Sequence, residues 1–562
     1  MNILKQYFTI IFLTALISFN ALGQNNNNFE ISKNLDIYMS LFKELNANYV
    51  DDINPGDLME SGIEAMLESL DPYTVYIPES RVEDYKLITT GQYGGIGALI
   101  HTQDGYVIIS EPYEGFPAEK TGLKAGDKVL SVNGRETLDK NSSEVSEILK
   151  GQPGTTVNLK IERIKEENTL EFEIIREKIK IDNIPYYGML NDHVGYIKLT
   201  GFTQNAGNEV KKALLELKKD ENLNGIILDL RGNGGGLLTE AVNVTNIFVD
   251  KGKLVVSTKG RLKTRNQDHY TRYASIDKNI PLVVLVNTGS ASASEIVAGA
   301  IQDLDRGVVV GQKTFGKGLV QNVIPLSYNA QIKITVAKYY IPSGRCIQAI
   351  DYSHKNGNGK YDKIPDSLIN EFQTHNGRKV YDGGGIDPDV KIEAQKFSNI
   401  ATVLFTNYLI FDYATVFAAE HSEIPPPEQF HISPKIYNEF VAYIADKDYE
   451  YTTQCEEKLN ALKKAAKREH YFTAIEDEYN TLMSTLMCNK EEDLITFQDE
   501  IKELLKIEII SRYYYQEGKI ISTLHDDPEI ERAIEVLDNN SMYDAILVGT
   551  YEQKSEEDPK EG

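Results

Sequence analysis

Residues 281–321 read PLVVLVNTGSASASEIVAGAIQDLDRGVVVGQKTFGKGLVQ. Pro281 to Asn287 has the pattern of a short apolar strand. It runs into Thr288-Gly289-Ser290-Ala291-Ser292-Ala293-Ser294-Glu295, small and polar residues that turn the chain, and a helical stretch follows to Leu304. Val308 to Gly311 is strand-like again, and Thr314-Phe315-Gly316-Lys317-Gly318-Leu319-Val320-Gln321 turns through glycines into another strand. The same texture extends outwards. Gly225 to Leu230 is a buried-strand pattern, followed by Arg231-Gly232-Asn233-Gly234-Gly235-Gly236 and a helix from about Leu237. Leu319 to Pro325 and Gln331 to Tyr340 read as further strands. Alternating strand and helix predicts an α/β core over 179–400.

Ligands in α/β sheets sit at the ends of strands, and here those ends carry unusual residues. Arg231 to Gly236 holds four glycines in six residues, bare enough for backbone N–H groups to approach a substrate oxygen. The Lys-Ser/Thr ending of a phosphate-binding P-loop is missing. Serine at a strand-to-helix turn exposes its hydroxyl near helix N–H groups that favour developing negative charge, although capping suits Ser290, Ser292 and Ser294 equally. A lysine between glycines in an apolar setting, as Lys317 is, loses hydration and becomes a general base for serine; an exposed loop lysine fits the same letters. His193 and His269 are the histidines of the core before the serine loop, and neither sits in a motif that places it there. No HExxH or clustered metal-ligand spacing exists, so no metal and no cofactor is expected.

The chain has 562 residues, long enough for three or four domains at about 100–200 residues each. A formal charge of −25 repels phosphate backbones and anionic lipid, which excludes nucleic acid as a natural partner. Cys346, Cys455 and Cys488 are too few and too far apart for a disulfide framework or a zinc site. Lys5, the mostly apolar stretch Tyr7 to Phe19 and Ala21-Leu22-Gly23 read as a signal peptide over 1–23. The protein is therefore expected to be exported and periplasmic; if the leader is kept, it becomes an anchor and the protein membrane-associated. After that segment no apolar run approaches the length of a membrane span.

Leu35, Tyr38, Phe42, Leu45 and Tyr49, then Ile63, Met66, Leu67 and Leu70, recur at helical spacing on either side of Asn54-Pro55-Gly56, which predicts a helical region over 29–88. Over 89–178 the pattern changes to short strands punctuated by glycine, with one helix from Ser143 to Leu149. Gly126-Asp127-Lys128-Val129-Leu130-Ser131-Val132-Asn133-Gly134, in that order of elements, resembles a circularly permuted PDZ domain of bacterial proteases. Such a module adds a peptide as a strand to a sheet edge and takes its carboxylate on backbone N–H groups; Gly95, Ile96 and Gly97 are the candidate loop. From 401 to 562 the pattern is helical and acidic, broken by Pro425-Pro426-Pro427, and carries no recognisable chemistry. An interaction or capping domain is expected there, open to a second copy of the chain or an adaptor.

The segments Asn287 to Asp303 and Gly311 to Gln321 resemble the C-terminal processing peptidases of serine peptidase family S41, whose S-A-S-E-I…Q-D and T-F-G-K-G-x-V-Q patterns stand here unbroken. The resemblance runs from about 35 to 395 and includes Leu70-Asp71-Pro72 and Gly385-Ile386-Asp387-Pro388-Asp389. It implies a protease core related to the crotonase and Clp folds, with an N-terminal helical segment, a PDZ domain and an α-helical C-terminal domain. Members place the catalytic lysine 25 positions after the serine, which selects Ser292 for Lys317, and a glutamine four residues later, Gln321, orients the lysine. By the same resemblance the oxyanion hole is formed by the Ala293 N–H and a glycine N–H of the 234–236 loop, Gly236 being favoured, and a PDZ movement brings the lysine into register; Asp303 resembles an acidic position that some relatives use and is read here as structural. The implied function is a secreted serine endopeptidase that recognises protein C-termini. The alternative is a peptide-binding scaffold that keeps the fold without the chemistry.

Overall fold

A computed structural model of the protein describes residues 28–355, 359, 361–486 and 490–552. The leader over 1–23 and Cys488 lie outside the described residues.

Residues 28–48 are helical, and a second helix spans Pro55–Glu68. Asn54 caps the latter, accepting the Gly56 N–H at 2.9 Å, and Pro55 follows where a missing N–H costs nothing. The chain then enters the strand Val75–Ile77, which pairs antiparallel with Gln331–Tyr340 of the core. Val75 pairs there with Lys333, which lines the candidate site.

The glycine-rich segment forms a sheet in the order Ala98–Gln103, Tyr106–Pro112, Lys128–Val132, Thr156–Glu162, Leu170–Ile175. Thr156–Glu162 alternates exposed and buried residues along its length, so Val157, Leu159 and Ile161 enter the core while their neighbours meet water. Asn133 and Gly134 both take positive φ (50° and 76°), the geometry of a tight hairpin turn whose twist matches its strands. Helix Ser142–Leu149, closed by a capping box at Asn141, lies against the border strand Ala98–Gln103. A two-stranded pairing of Gln92–Gly95 with Glu177–Lys180 ties the entry of this domain to its exit.

The α/β core is built on a six-stranded sheet in the order Tyr186–Met189, Val194–Lys198, Gly225–Asp229, Leu282–Val286, Val308–Gly311, Val390–Lys391. All neighbours after the first pair are parallel. Ile226 and Leu228 point to one side with helices Ala206–Leu217, Leu238–Phe248 and Ala293–Asp303, whereas Ile227, Val283 and Leu285 point to the other. A parallel sheet needs cover on both faces. The second face is covered by helices Pro528–Asp538 and Asn540–Leu547, through Ile530, Ala533, Val536, Leu537 and Ile546.

The helical region beyond 401 therefore divides. Helices Asn399–Thr406, Leu409–Glu420, Pro434–Ile444 and the first half of Gln498–Thr523 share a core of their own around Phe417, Phe440 and Ile509. The last two helices are part of the peptidase sheet instead. The sequence hides this, because amphipathic helices look alike whichever surface receives them. Among the described residues no single helix is long and apolar enough to cross a membrane; the bent pair Asn399–Thr406 and Leu409–Glu420 passes by composition and buries its apolar face in this helical core.

Candidate active site

Ser292 stands where the strand Leu282–Val286 has turned into the helix Ala293–Asp303, with φ 56° and ψ −110°. That backbone is costly for a residue with a Cβ and persists only where its surroundings fix it. They do so from several directions. The Ala291 N–H donates to Asn233 O at 3.0 Å, and the Ser292 carbonyl accepts from Ile296 N–H at 3.0 Å. The neighbouring serines are committed elsewhere: Ser290 Oγ donates to Leu230 O and Ser294 Oγ to Asn233 O, both at 2.8 Å, and both residues are fully buried. Ser292 alone of the three lines the cleft of about 380 Å³ that also takes in Ala293, Gly234, Gly235, Gly236, Lys317, Gln321, Lys333 and Tyr339.

Two buried side chains tie the Ser292 turn to the lysine loop. Glu295, one helical turn on, accepts from Ser292 N–H (2.8 Å), Lys317 N–H (2.9 Å), Gly316 N–H (2.7 Å) and Thr314 Oγ1 (2.6 Å). The Tyr339 hydroxyl sits between the carbonyls of Ser292 and Lys317. One carboxylate thus gathers the amides of both residues, and one phenol their carbonyls. Burial pushes the Glu295 carboxyl up to about 7, against the pull of its four donors. Glu295→Gln turns an amide N–H₂ towards groups that themselves donate, and it is expected to cost about 2–3 kcal/mol of unfolding free energy in a denaturant titration.

The Lys317 amine lies 4.2 Å from the centroid of the Tyr73 ring. Burial and the neighbouring charge of Lys333 lower it to about 8, while Glu295 and Asp71 act in the opposite sense. A substantial fraction is then neutral near pH 8, as a general base requires. Gln321 lines the same cleft, but its amide donates to Thr335 Oγ1 at 3.2 Å, and that hydroxyl donates to Asp71 Oδ1 at 3.2 Å. Gln321 thus shares the lysine's cleft, with its side chain engaged across the hairpin on Thr335. Asp71 and Tyr73 follow the first helices in sequence, and Lys333 lies on the strand that Val75 pairs with.

The glycine loop closes the other wall. Gly235 has φ +100°, and a Cβ there would lie 2.7 Å from Ala291 O and 2.9 Å from Ala293 N. Its own N–H is spent on Asn233 Oδ1 at 2.9 Å. Gly236 is held on its far side by Phe202, whose carbonyl a Cβ at Gly236 would meet at 2.6 Å. Residues Gly95, Ile96 and Gly97 lie apart, in the PDZ-like domain. The Ile96 carbonyl accepts from Ala118 N–H (2.8 Å) and the Gly97 carbonyl from Tyr113 N–H (2.9 Å). Across planar trans peptides the N–H groups of Gly97 and Ala98 point the opposite way. Asp303 is buried and paired with Arg345 at 2.8 Å. His193 pairs with Asp538 at 2.6 Å, and neither it nor His269 lines the cleft. Among the described residues no cluster of His, Cys, Asp or Glu forms a metal site.

The Peptidase family S41 model matches residues 193–353, the PDZ domain model residues 108–163, and that of the C-terminal helical domain of probable PDZ-proteases residues 400–537. The chain is 34% identical over 344 residues to the carboxy-terminal-processing protease of Bartonella bacilliformis, an overlap of 60% of this chain and 79% of that protein. It is 31% identical over 405 residues to the carboxy-terminal processing protease CtpA of Bacillus subtilis, covering 70% of this chain and 84% of that one. Among solved structures, the photosystem II D1 C-terminal processing protease is 27% identical over 63% of this chain and 92% of its own, with a TM-score of 0.35. Similarity of that extent places the chain among the carboxy-terminal processing proteases of peptidase family S41, as a serine-type peptidase that carries a PDZ domain.

Proposed function

We propose that this peptidase works by a Ser292–Lys317 pair and takes its substrates by their C-terminal ends. The observation that carries this reading is a serine on strained backbone and a lysine of lowered basicity, which share one cleft and are bracketed by Glu295 and Tyr339. Neutral Lys317 removes the Ser292 proton as Oγ attacks the peptide carbonyl. The oxyanion is received by the N–H groups of Ala293, first in its helix, and Gly236. Lysine returns the proton to the leaving amine, and water then releases the acyl group by the same route. Gln321 orients the amine once it leaves Thr335.

In the PDZ domain the loop Gly95-Ile96-Gly97 receives the terminal carboxylate, and the open side of Ala98–Gln103 receives the chain as an added strand. The relatives' names speak for action at C-terminal ends. Export to the periplasm follows from the leader. Contacts with a second copy or an adaptor we assign to the outlying helices Gln454–Arg468 and Glu476–Leu486, whose buried residues are Ala466 and Tyr479 alone.

Digestion of a peptide with an apolar C-terminus, followed by intact mass, tests both halves. The free-acid peptide is expected to show a KM about tenfold below its C-terminal amide, the loss of a charge-assisted contact. A fluorophosphonate is expected to phosphonylate Ser292 with loss of fluoride, adding the reagent's mass less HF to the peptide that holds it. Equal KM values would remove carboxylate recognition, and continued hydrolysis with Ser292 unlabelled would remove the nucleophile.

A further inference from the structure

Arg231 opens the loop that ends at Gly236, and its guanidinium is clasped from both sides. Nη2 donates to Asp229 Oδ2 at 2.7 Å, within its own strand-end turn. Nη1 donates to Asp527 Oδ2 at 2.7 Å and also to Glu529, at the start of the helix Pro528–Asp538. Glu529 further accepts from Gln312, just beyond the strand Val308–Gly311. Asp527 does two things at once, because its Oδ1 also caps the helix by accepting from Glu529 N–H (2.9 Å) and Ile530 N–H (3.1 Å). Lys198 completes the cluster, 3.1 Å from Asp229 and donating to the Arg231 carbonyl at 3.1 Å.

None of these five charged side chains is more than 18% exposed. Charges so shielded attract strongly, and loss of one partner leaves the others uncompensated. The loop they open has four glycines, and its middle is tied by the buried Asn233, whose amide donates to Leu199 O at 2.8 Å and accepts from Gly235 N–H at 2.9 Å. Its far end is clipped by Phe202, through Leu237 N–H to Phe202 O at 2.8 Å. At the near end Gly232 N–H donates to Asn287 Oδ1 at 2.9 Å, and Arg231 joins its local partner Asp229 to carboxylates nearly 300 residues away, with separations of 296 and 298.

We propose that Asp527 and Glu529 are positioning residues for peptide hydrolysis: through Arg231 they set where the Gly236 N–H stands relative to Ser292. This makes the end of the chain a working part of the peptidase, and it rests on the assignment of Ser292 and Gly236 made above.

The variants Asp527→Asn and Glu529→Gln, alone and together in the full-length chain, test it. Asparagine caps helices as well as aspartate does, so the helix start is kept while the charge facing Arg231 is lost. Hydrogen exchange of the amides at 232–236 reads the loop directly and needs no activity; the double variant is expected to exchange about tenfold faster there, with Asp303 and its helix unchanged. On the peptide substrate kcat is expected to fall about tenfold or more while KM stays within about twofold. Glu529→Asp, which keeps the charge, is expected to recover part of the rate. Unchanged loop exchange overturns the proposal, and so does faster exchange with wild-type kcat. If wild type shows no Ser292-dependent hydrolysis, the assignment of Ser292 fails, and the exchange measurement still decides whether the C-terminal carboxylates hold the loop.

Discussion

Ser292→Ala and Lys317→Arg are each expected to lower kcat for peptide hydrolysis by about 10⁴-fold or more, because a serine without its base, or a base without its serine, leaves only binding and the oxyanion donors. Arginine keeps the charge and stays protonated, so the test separates charge from basicity. In the proposed mechanism Lys317 acts as the neutral amine, and burial lowers it to about 8. The rate is therefore expected to climb about tenfold per pH unit below 8 and to level off above it. A flat profile between pH 6 and 9, or an active Lys317→Arg enzyme, would sink the assignment. The same shift has a thermodynamic counterpart. With a folded value below its unfolded one, Lys317 is protonated more readily in the unfolded chain. Its charge then opposes folding, fully below about pH 8 and not at all above the ordinary lysine range. Lys317→Met is expected to raise the unfolding temperature at pH 7 while abolishing turnover, the exchange of stability for function expected at a desolvated site.

Gly235→Ala is expected to cost about 100-fold in kcat. Here φ is +100°, where a Cβ is strained in itself, and that Cβ would stand 2.8 Å from Ser292 Cβ. Relief requires the glycine loop and the serine turn to move apart, and displacement near 1 Å is worth about two orders of magnitude in a positioned reaction. Gly232→Ala is the control. It lies in the same loop at φ +70° with nothing within 4 Å of its Cβ, so strain without collision is expected to cost about tenfold less than at Gly235. Equal losses from the two would mean that backbone freedom, and not the approach to Ser292, is what the loop requires.

Ser292 and Lys317 are singled out by the resemblance, through a separation of 25 positions, and the structure lines one cleft with both. Local letters also told strands from helices in the core, where uninterrupted apolar runs such as Leu282–Val286 mark a sheet covered twice. What stayed hidden was whatever depends on contacts between distant segments. Gly234, Gly235 and Gly236 are indistinguishable as letters, and only packing shows that Gly235 touches the serine turn while Gly236 leans on Phe202. Glu295 was visible within its motif, but nothing in the motif says that its carboxylate joins two loops. Tyr73, Lys333 and Tyr339 carry no signal at all, since each reaches the cleft from a strand or turn of ordinary composition. Asp527 and Glu529 lie in an acidic helical tract where one carboxylate more attracts no notice.

The sheet face closed by Pro528–Asp538 and Asn540–Leu547 also sets a clock on synthesis. Strands from Val194 to Gly311 leave the ribosome long before the helices that shelter their second face, and pairings so remote along the chain are the slow ones to form. Until residues 528–547 have emerged, a greasy surface of valine and isoleucine is uncovered and Arg231 lacks its distant carboxylates.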